Sequence, residues 1–238
     1  ETPNFNIKNY LTSKGIILKA EKDVITLSVS NYIAIDKKIK ELEVQREKMK
    51  PDIIKFMKTL IVDNHTKHLT EIKKLLSDFE TSECKRNEFN SNFANKFDLV
   101  IFSGGSGFGI PPVINHKEDY KNEIDFIKKT DKKIIGICLG CEIIATAFDC
   151  LLKELNKKEK KIININFNGK LMPVYEAHRF AVEKAGEEIE ILATSKDGIE
   201  IIKHRTKPIY GLQFHPEMFV NKTDGSKILF EILKNIKN

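Results

Sequence analysis

From Thr59 onward, short apolar runs alternate with segments of helical period, and this alternation limits the possible folds more than any other feature of the chain. "TLIVD" (59–63) reads as a buried strand, and "HTKHLTEIKKLLSDF" follows with Leu69, Ile72, Leu75 and Leu76 at helical spacing. "KFDLVIFSGG" is a second strand ending in glycines, and "KEDYKNEIDFIKKT" is a helix. "KKIIGIC" is a third strand and "LGCEIIATAFDCLLKEL" a third helix. Strands that are apolar along their whole length are buried on both faces. The expectation is an α/β fold with a mostly parallel sheet and helices on both sides. The later chain is richer in strands: "KIININF", "KLMPVYEA", "EIEILATS", "GIEIIKH" and "PIYGLQF". A final helix, "DGSKILFEILKNI", starts after Asp224 as its cap.

The first 58 residues follow a different pattern. "GIILKAEKDVITLSV" reads as one or two strands, and "NYIAIDKKIKELEVQREKMK" (31–50) as a helix. Its Ile35, Ile39, Leu42, Arg46 and Met49 stand near heptad spacing, which suits a helix packed on its own domain or one that docks a partner. Pro51 interrupts it. The expected organisation is an N-terminal strand and helix extension over 1–58, then a larger α/β domain over 59–238.

Composition narrows the function classes. With 41% hydrophobic and 31% charged residues, the 238-residue chain has the make-up of a globular protein. No apolar run approaches the roughly 18 residues that span a bilayer. The start "ETPNFNIKNY" lacks a basic stretch followed by an apolar core, so a cytoplasmic protein without a membrane partner is expected. The net charge of +6 comes from 40 basic against 34 acidic residues. The lysines alternate with acids, a pattern of solvated faces rather than of nucleic-acid binding. Four cysteines, Cys84, Cys138, Cys141 and Cys150, are too few for a disulfide scaffold in a chain this long.

Cys138 and Cys141 are spaced C-x-x-C, which raises redox chemistry and metal binding first. The fold pattern expected downstream of a thioredoxin-like motif is absent. Structural zinc takes about four ligands, and no second C-x-x-C or H-x-x-x-H pair is present. Neither a metal nor a cofactor is therefore expected. The stretch "IIGICLG" has another reading: Gly136 and Gly140 flank Cys138 two residues to either side, at the junction of a strand and a helix. That is the G-x-C-x-G form of a nucleophile elbow, in which small residues let the backbone crowd and push the thiol above the sheet. A helix N-terminus behind the sulfur favours thiolate, and its N–H groups can hold an oxyanion. Cys141 and Cys150 read as small packing residues on the helix.

A cysteine nucleophile needs a base and a group that orients the base. "PIYGLQFHPEMF" places His215 at a strand end, with Pro216 shaping the turn and Glu217 two residues on. The glycine loop "IFSGGSGFG" (101–109) has two readings: a phosphate cradle, or a second oxyanion donor facing the elbow.

Taken together, these pieces resemble the class I (triad) glutamine amidotransferases over residues 59–238. The resemblance implies a flavodoxin-like sheet and hydrolysis of glutamine to glutamate and ammonia. It implies that Cys138 attacks the side-chain amide, His215 moves the proton and Glu217 orients His215. Backbone N–H groups of Leu139 and Gly105 then hold the oxyanion, with Gly104 among the substrate contacts. The family's elbow continues with a substrate-binding glutamine, where this chain has Glu142. The family segment that touches the substrate backbone corresponds to "VYEAHRF", which makes Tyr175, Glu176 and His178 candidate pocket residues. Ammonia would pass to a separate synthetase subunit, because no ATP-binding domain is visible. The tail is similar to the amidotransferase subunits of GMP synthetase and of anthranilate synthase, and does not choose between them. Glu142 and the N-terminal extension leave open a stand-alone γ-glutamyl hydrolase or peptidase. A non-catalytic regulatory homologue is a third reading. His65, His68, His116 and His204 are expected at the surface.

Overall fold

The computed structural model describes residues 57–105, 110–158 and 160–236. The strands and long helix expected before Pro51, and residues 106–109 of the glycine loop, lie outside the described residues.

In chain order the strands are β1 (Lys58–Asp63), β2 (Glu80–Lys85), β3 (Leu99–Phe102), β4 (Lys133–Ile137), β5 (Leu151–Glu154) and β6 (Lys161–Phe167). They continue with β7 (Lys170–Glu176), β8 (Phe180–Lys184), β9 (Ile189–Thr194), β10 (Ile199–His204) and β11 (Ile209–Leu212). The helices are α1 (Leu69–Leu75), α2 (Ser91–Ala94), α3 (Lys121–Lys129), α4 (Leu139–Ala147) and α5 (Gly225–Asn235).

One sheet runs in the order β2-β1-β3-β4-β11-β10-β8-β5, with β9 added beside β10. The five strands from β2 to β11 are parallel neighbours, and the rest pair antiparallel. The fold is thus the largely parallel, flavodoxin-like α/β arrangement expected from the alternation. Strands β6 and β7 form a separate hairpin. Its turn residues Asn168 and Gly169 have φ of 51° and 75°, the left-handed pair that a tight hairpin needs.

Both sheet faces are covered, as the uninterrupted apolar strands require. Leu60 and Val62 of β1 face one core with Ile127 of α3 and Ile143 and Ile144 of α4. Ile61 faces the other core with Ile72 of α1 and Ile228 and Ile232 of α5. Each such side chain contributes about 1.5–3 kcal/mol through burial.

Two elements differ from expectation. The third helix does not extend through "DCLLKEL". It stops at Phe148; Asp149 turns to φ 55°, and the Cys150 N–H donates to the Ala145 carbonyl at 2.9 Å. The chain then reverses into β5, where Leu152 pairs with Val182 of β8. Cys150 therefore sits in a turn rather than on a helix face. Strand β2, "ETSECK", escapes a pattern search because it is an edge strand with mostly polar, solvated side chains. Asp224 does stand at the α5 N-cap position, yet its side chain caps no backbone N–H and pairs instead with Lys227.

Candidate active site

The parallel strands aim their carboxyl ends at one edge of the sheet, where α/β folds place ligands. At that edge β4 passes into α4 through Cys138, held at φ 51° and ψ −104°. This is strained backbone for a non-glycine residue. The flanking glycines explain how it is tolerated. A Cβ on Gly136 would lie 2.4 Å from the Gly140 carbonyl, and one on Gly140 would lie 2.2 Å from the Phe102 carbonyl oxygen. Strand and helix cross too closely for any side chain at either position. The Cys138 N–H donates to Leu212 O at 2.7 Å, tying the elbow to β11.

Beyond β11 the chain reaches His215, whose N–H donates to Tyr175 O at 2.8 Å. Its Nδ1 lies 2.8 Å from Glu217 Oε1, and both side chains are buried. The other ring nitrogen is left for Cys138, whose sulfur acts on the charge of the imidazole. Burial alone would lower the His215 pKa. The Cys138 sulfur and the Glu217 carboxylate outweigh burial and raise it to about 10. The protonated form of the His215 imidazole is thus favoured.

The described glycines after β3 stand against these groups. A Cβ on Gly104 would stand 3.0 Å from His215 Cε1 and 3.5 Å from Cys138 Cβ, and one on Gly105 would meet the Leu139 side chain at 2.6 Å. Gly104, Gly105 and Leu139 therefore crowd against the elbow. Leu139 opens α4, where N–H groups lack helical partners. The loop is anchored by Asn64 at the end of β1, whose N–H donates to Ser103 Oγ at 2.9 Å and whose Nδ2 donates to Ser103 O at 2.8 Å.

Glu142 lies one turn into α4 and is buried. Its Oε1 accepts from Gln213 Nε2 at 3.3 Å. Burial raises its pKa to about 7, against the opposing pull of the Gln213 amide and of His178 and His215. Tyr175 borders the same ground, its ring centroid 6.3 Å from that of His215. Glu176 and His178 are not exposed at a pocket wall. They are buried and face each other, His178 Nε2 lying 3.3 Å from Glu176 Oε2.

Four neighbours of the site were not singled out in the sequence as functional. Asn64 holds the loop and Gln213 holds Glu142, while Glu200 accepts the Gln213 N–H on its carbonyl at 2.9 Å. His68, expected at the surface, is half-buried, with its ring edge-on to His215 at 5.6 Å; burial and the charge of His215 lower its pKa. Only Gln213 carried a signal, standing two residues before His215 in "QFHPE". His204 was also expected at the surface but is buried against Phe148. The remaining cysteines are free thiols that burial makes poor nucleophiles: Cys84 is raised to about 11, Cys150 is raised, and Cys141 is raised well above its ordinary value. A cleft of about 560 Å³ lined by Asp98, Lys133, His204 and Tyr210 opens at the opposite strand ends and contains none of the Cys138, His215 and Glu217 group. Among the described residues no helix is long and apolar enough to cross a membrane.

Comparison with known proteins bears on the family and the fold. The family model "Glutamine amidotransferase class-I" matches residues 60–236. A glutamine-hydrolyzing GMP synthase subunit of Methanothermobacter thermautotrophicus is 34% identical over 107 residues, which is 41% of this chain and 58% of that protein. The carbamoyl phosphate synthase small chain of Clostridium perfringens is 30% identical over 247 residues, 96% of this chain and 65% of that protein. The chain thus spans under two thirds of the length of either relative. A crystal structure from Thermoplasma acidophilum, described as a GMP synthase subunit, superposes with a TM-score of 0.65 at 21% identity. The match covers 76% of this chain and 93% of that one, and supports the fold.

Proposed function

The chain belongs to the class I glutamine amidotransferase family, and from that premise we propose that it hydrolyses the side-chain amide of glutamine and delivers the ammonia to a separate synthetase. The observation that carries this reading is the convergence of Cys138, at its strained elbow, with His215 and the Glu217 carboxylate 2.8 Å from its ring.

In this reading the Cys138 thiolate attacks the amide carbon, and the oxyanion takes hydrogen bonds from the Leu139 and Gly105 N–H groups. His215, protonated and oriented by Glu217, gives its proton to the departing nitrogen, so ammonia leaves and a γ-glutamyl thioester remains on Cys138. Water then attacks the thioester, His215 takes its proton, and the sulfur departs as thiolate with release of glutamate. Gly104, Glu142 and Tyr175 shape the substrate end of the site, and Glu176 and His178 support it from within the fold.

The match to a carbamoyl phosphate synthase small chain spans 96% of the chain, so the similarity extends into residues 1–58. Four free thiols suit a reducing compartment such as the cytoplasm.

Glutamine turnover by the full chain, alone and with a captured synthetase partner, tests the proposal. Cys138→Ser abolishes glutamate release; release that survives this change overturns the reading. Glu142 favours a second reading, hydrolysis of γ-glutamyl peptides. Peptide cleavage with free glutamine untouched would establish it in place of the first. The absence of thiol-dependent turnover under all these conditions would leave a regulatory homologue.

A further inference from the structure

One group of ionisable side chains stands apart from the proposed chemistry. Glu176 closes β7, His178 follows in the connection to β8, and Glu200 lies in β10. Their exposures are 0%, 2% and 1%. Each offers one ligand atom, and the three atoms lie within 4.8 Å of one another. The 3.3 Å between His178 Nε2 and Glu176 Oε2 is close to the edge of a tetrahedron whose metal–ligand bonds are about 2.0–2.1 Å. His178 Nδ1 donates to Phe180 O at 2.8 Å, which turns Nε2 toward the carboxylates. A backbone carbonyl commonly orients a metal-bound imidazole in this way.

Two carboxylate oxygens of the group, Glu176 Oε1 and Glu200 Oε2, are buried and make no hydrogen bond. Glu200 Oε1 accepts from the Ser195 hydroxyl at 2.8 Å, while Oε2 is buried with no hydrogen-bond partner. Lys161 Nζ stands 3.1 Å from Glu176 Oε1, out of hydrogen-bond alignment, and 3.0 Å from Asp197 Oδ2, so its charge is divided between two carboxylates. Buried carboxylates facing an imidazole call for a positive charge among them.

We propose that Glu176, His178 and Glu200 bind one divalent transition-metal ion of the zinc, cobalt or manganese kind. One imidazole nitrogen and two carboxylates suit these ions, with a remaining position for water. The site is a structural clamp, since neither Cys138 nor His215 is among its ligands. Its effect on the active site follows from the backbone: the strand ending in Glu176 accepts the His215 N–H through Tyr175 O, and Glu200 O accepts the Gln213 N–H. An ion here locks together both strands that hold the catalytic turn.

The test is cobalt binding by the full chain carrying Cys138→Ser, which removes the reactive thiol as a competing ligand. Dialysis followed by metal analysis should find about one Co²⁺ per chain. The spectrum should hold weak visible bands of nitrogen and oxygen ligation without thiolate charge transfer, and the thermal midpoint should rise. Adding Glu200→Gln, or separately His178→Gln, should weaken binding roughly tenfold or more. A parent chain that retains no cobalt overturns the proposal. So do thiolate charge-transfer bands, which place the ion on Cys84, Cys141 or Cys150, and so does equal retention in both variants. The parent spectrum and stoichiometry decide the matter even if a variant fails to fold.

Discussion

Glu142 keeps its carboxyl away from water, one helical turn beyond Cys138, with the Gln213 amide as its hydrogen-bond donor. Burial lifts its pKa from 4.5 to about 7. The folded state therefore binds this proton more tightly than the unfolded chain does. The resulting stability is complete below about pH 4.5 and is lost as pH rises through about 7. Glu142→Gln removes that loss. The stability of the variant relative to the parent should increase by about 2–3 kcal/mol between pH 4.5 and pH 8, as read by urea denaturation at both. An unchanged difference would mean that the carboxyl is solvated or paired with a cation. His215 titrates under the opposite influence. Its pKa is raised by the Cys138 sulfur and the Glu217 carboxylate against burial. Glu217→Gln should move the basic limb of kcat/KM to lower pH and reduce kcat/KM by roughly a hundredfold or more. These residues were legible in the sequence because a short motif carries each: G-x-C-x-G for Cys138 and H-P-E for the other two. Their electrostatics were not, because the burial of Glu142 and its Gln213 partner depend on residues 71 positions apart.

At the scale of the element, the strand–elbow–helix unit depends on two glycines that have no room for a methyl group. Gly140→Ala would put a Cβ 2.2 Å from the Phe102 carbonyl oxygen, and the neighbouring strand cannot yield without losing its ladder. A loss of about 1–3 kcal/mol is expected, seen as a lower urea midpoint, together with reduced turnover as Cys138 shifts. Parental stability in this variant would contradict the close crossing. The glycines were legible because a steric demand leaves a local mark. The end of α4 was not. "FDCLLKEL" keeps a helical pattern, and only pairing with β8 draws its second half into β5. Strand β2 was hidden for a related reason: its pairing with β1 comes from backbone hydrogen bonds, and its side chains record mostly solvent.

Across the whole molecule, two cores on opposite faces of the sheet hold the carboxyl ends of β1, β3, β4 and β11 at one edge. The apolar strands announced this layering, since side chains buried on both faces leave no polar alternation. What stayed illegible is the company that the site keeps. Asn64 directly follows β1 and His68 stands at the N-cap position of α1, while Glu200 comes from β10. Tertiary folding joins them across up to about 150 positions. The central claim is that one of four buried thiols is a nucleophile aimed at a glutamine side chain. Treatment of the full chain with an electrophilic diazoketone analogue of glutamine, followed by peptide mapping, tests it most directly. A single adduct on Cys138, slowed by free glutamine and absent from Cys84, Cys141 and Cys150, is the predicted result. Labelling of another cysteine, or labelling of Cys138 that glutamine does not slow, would contradict the account.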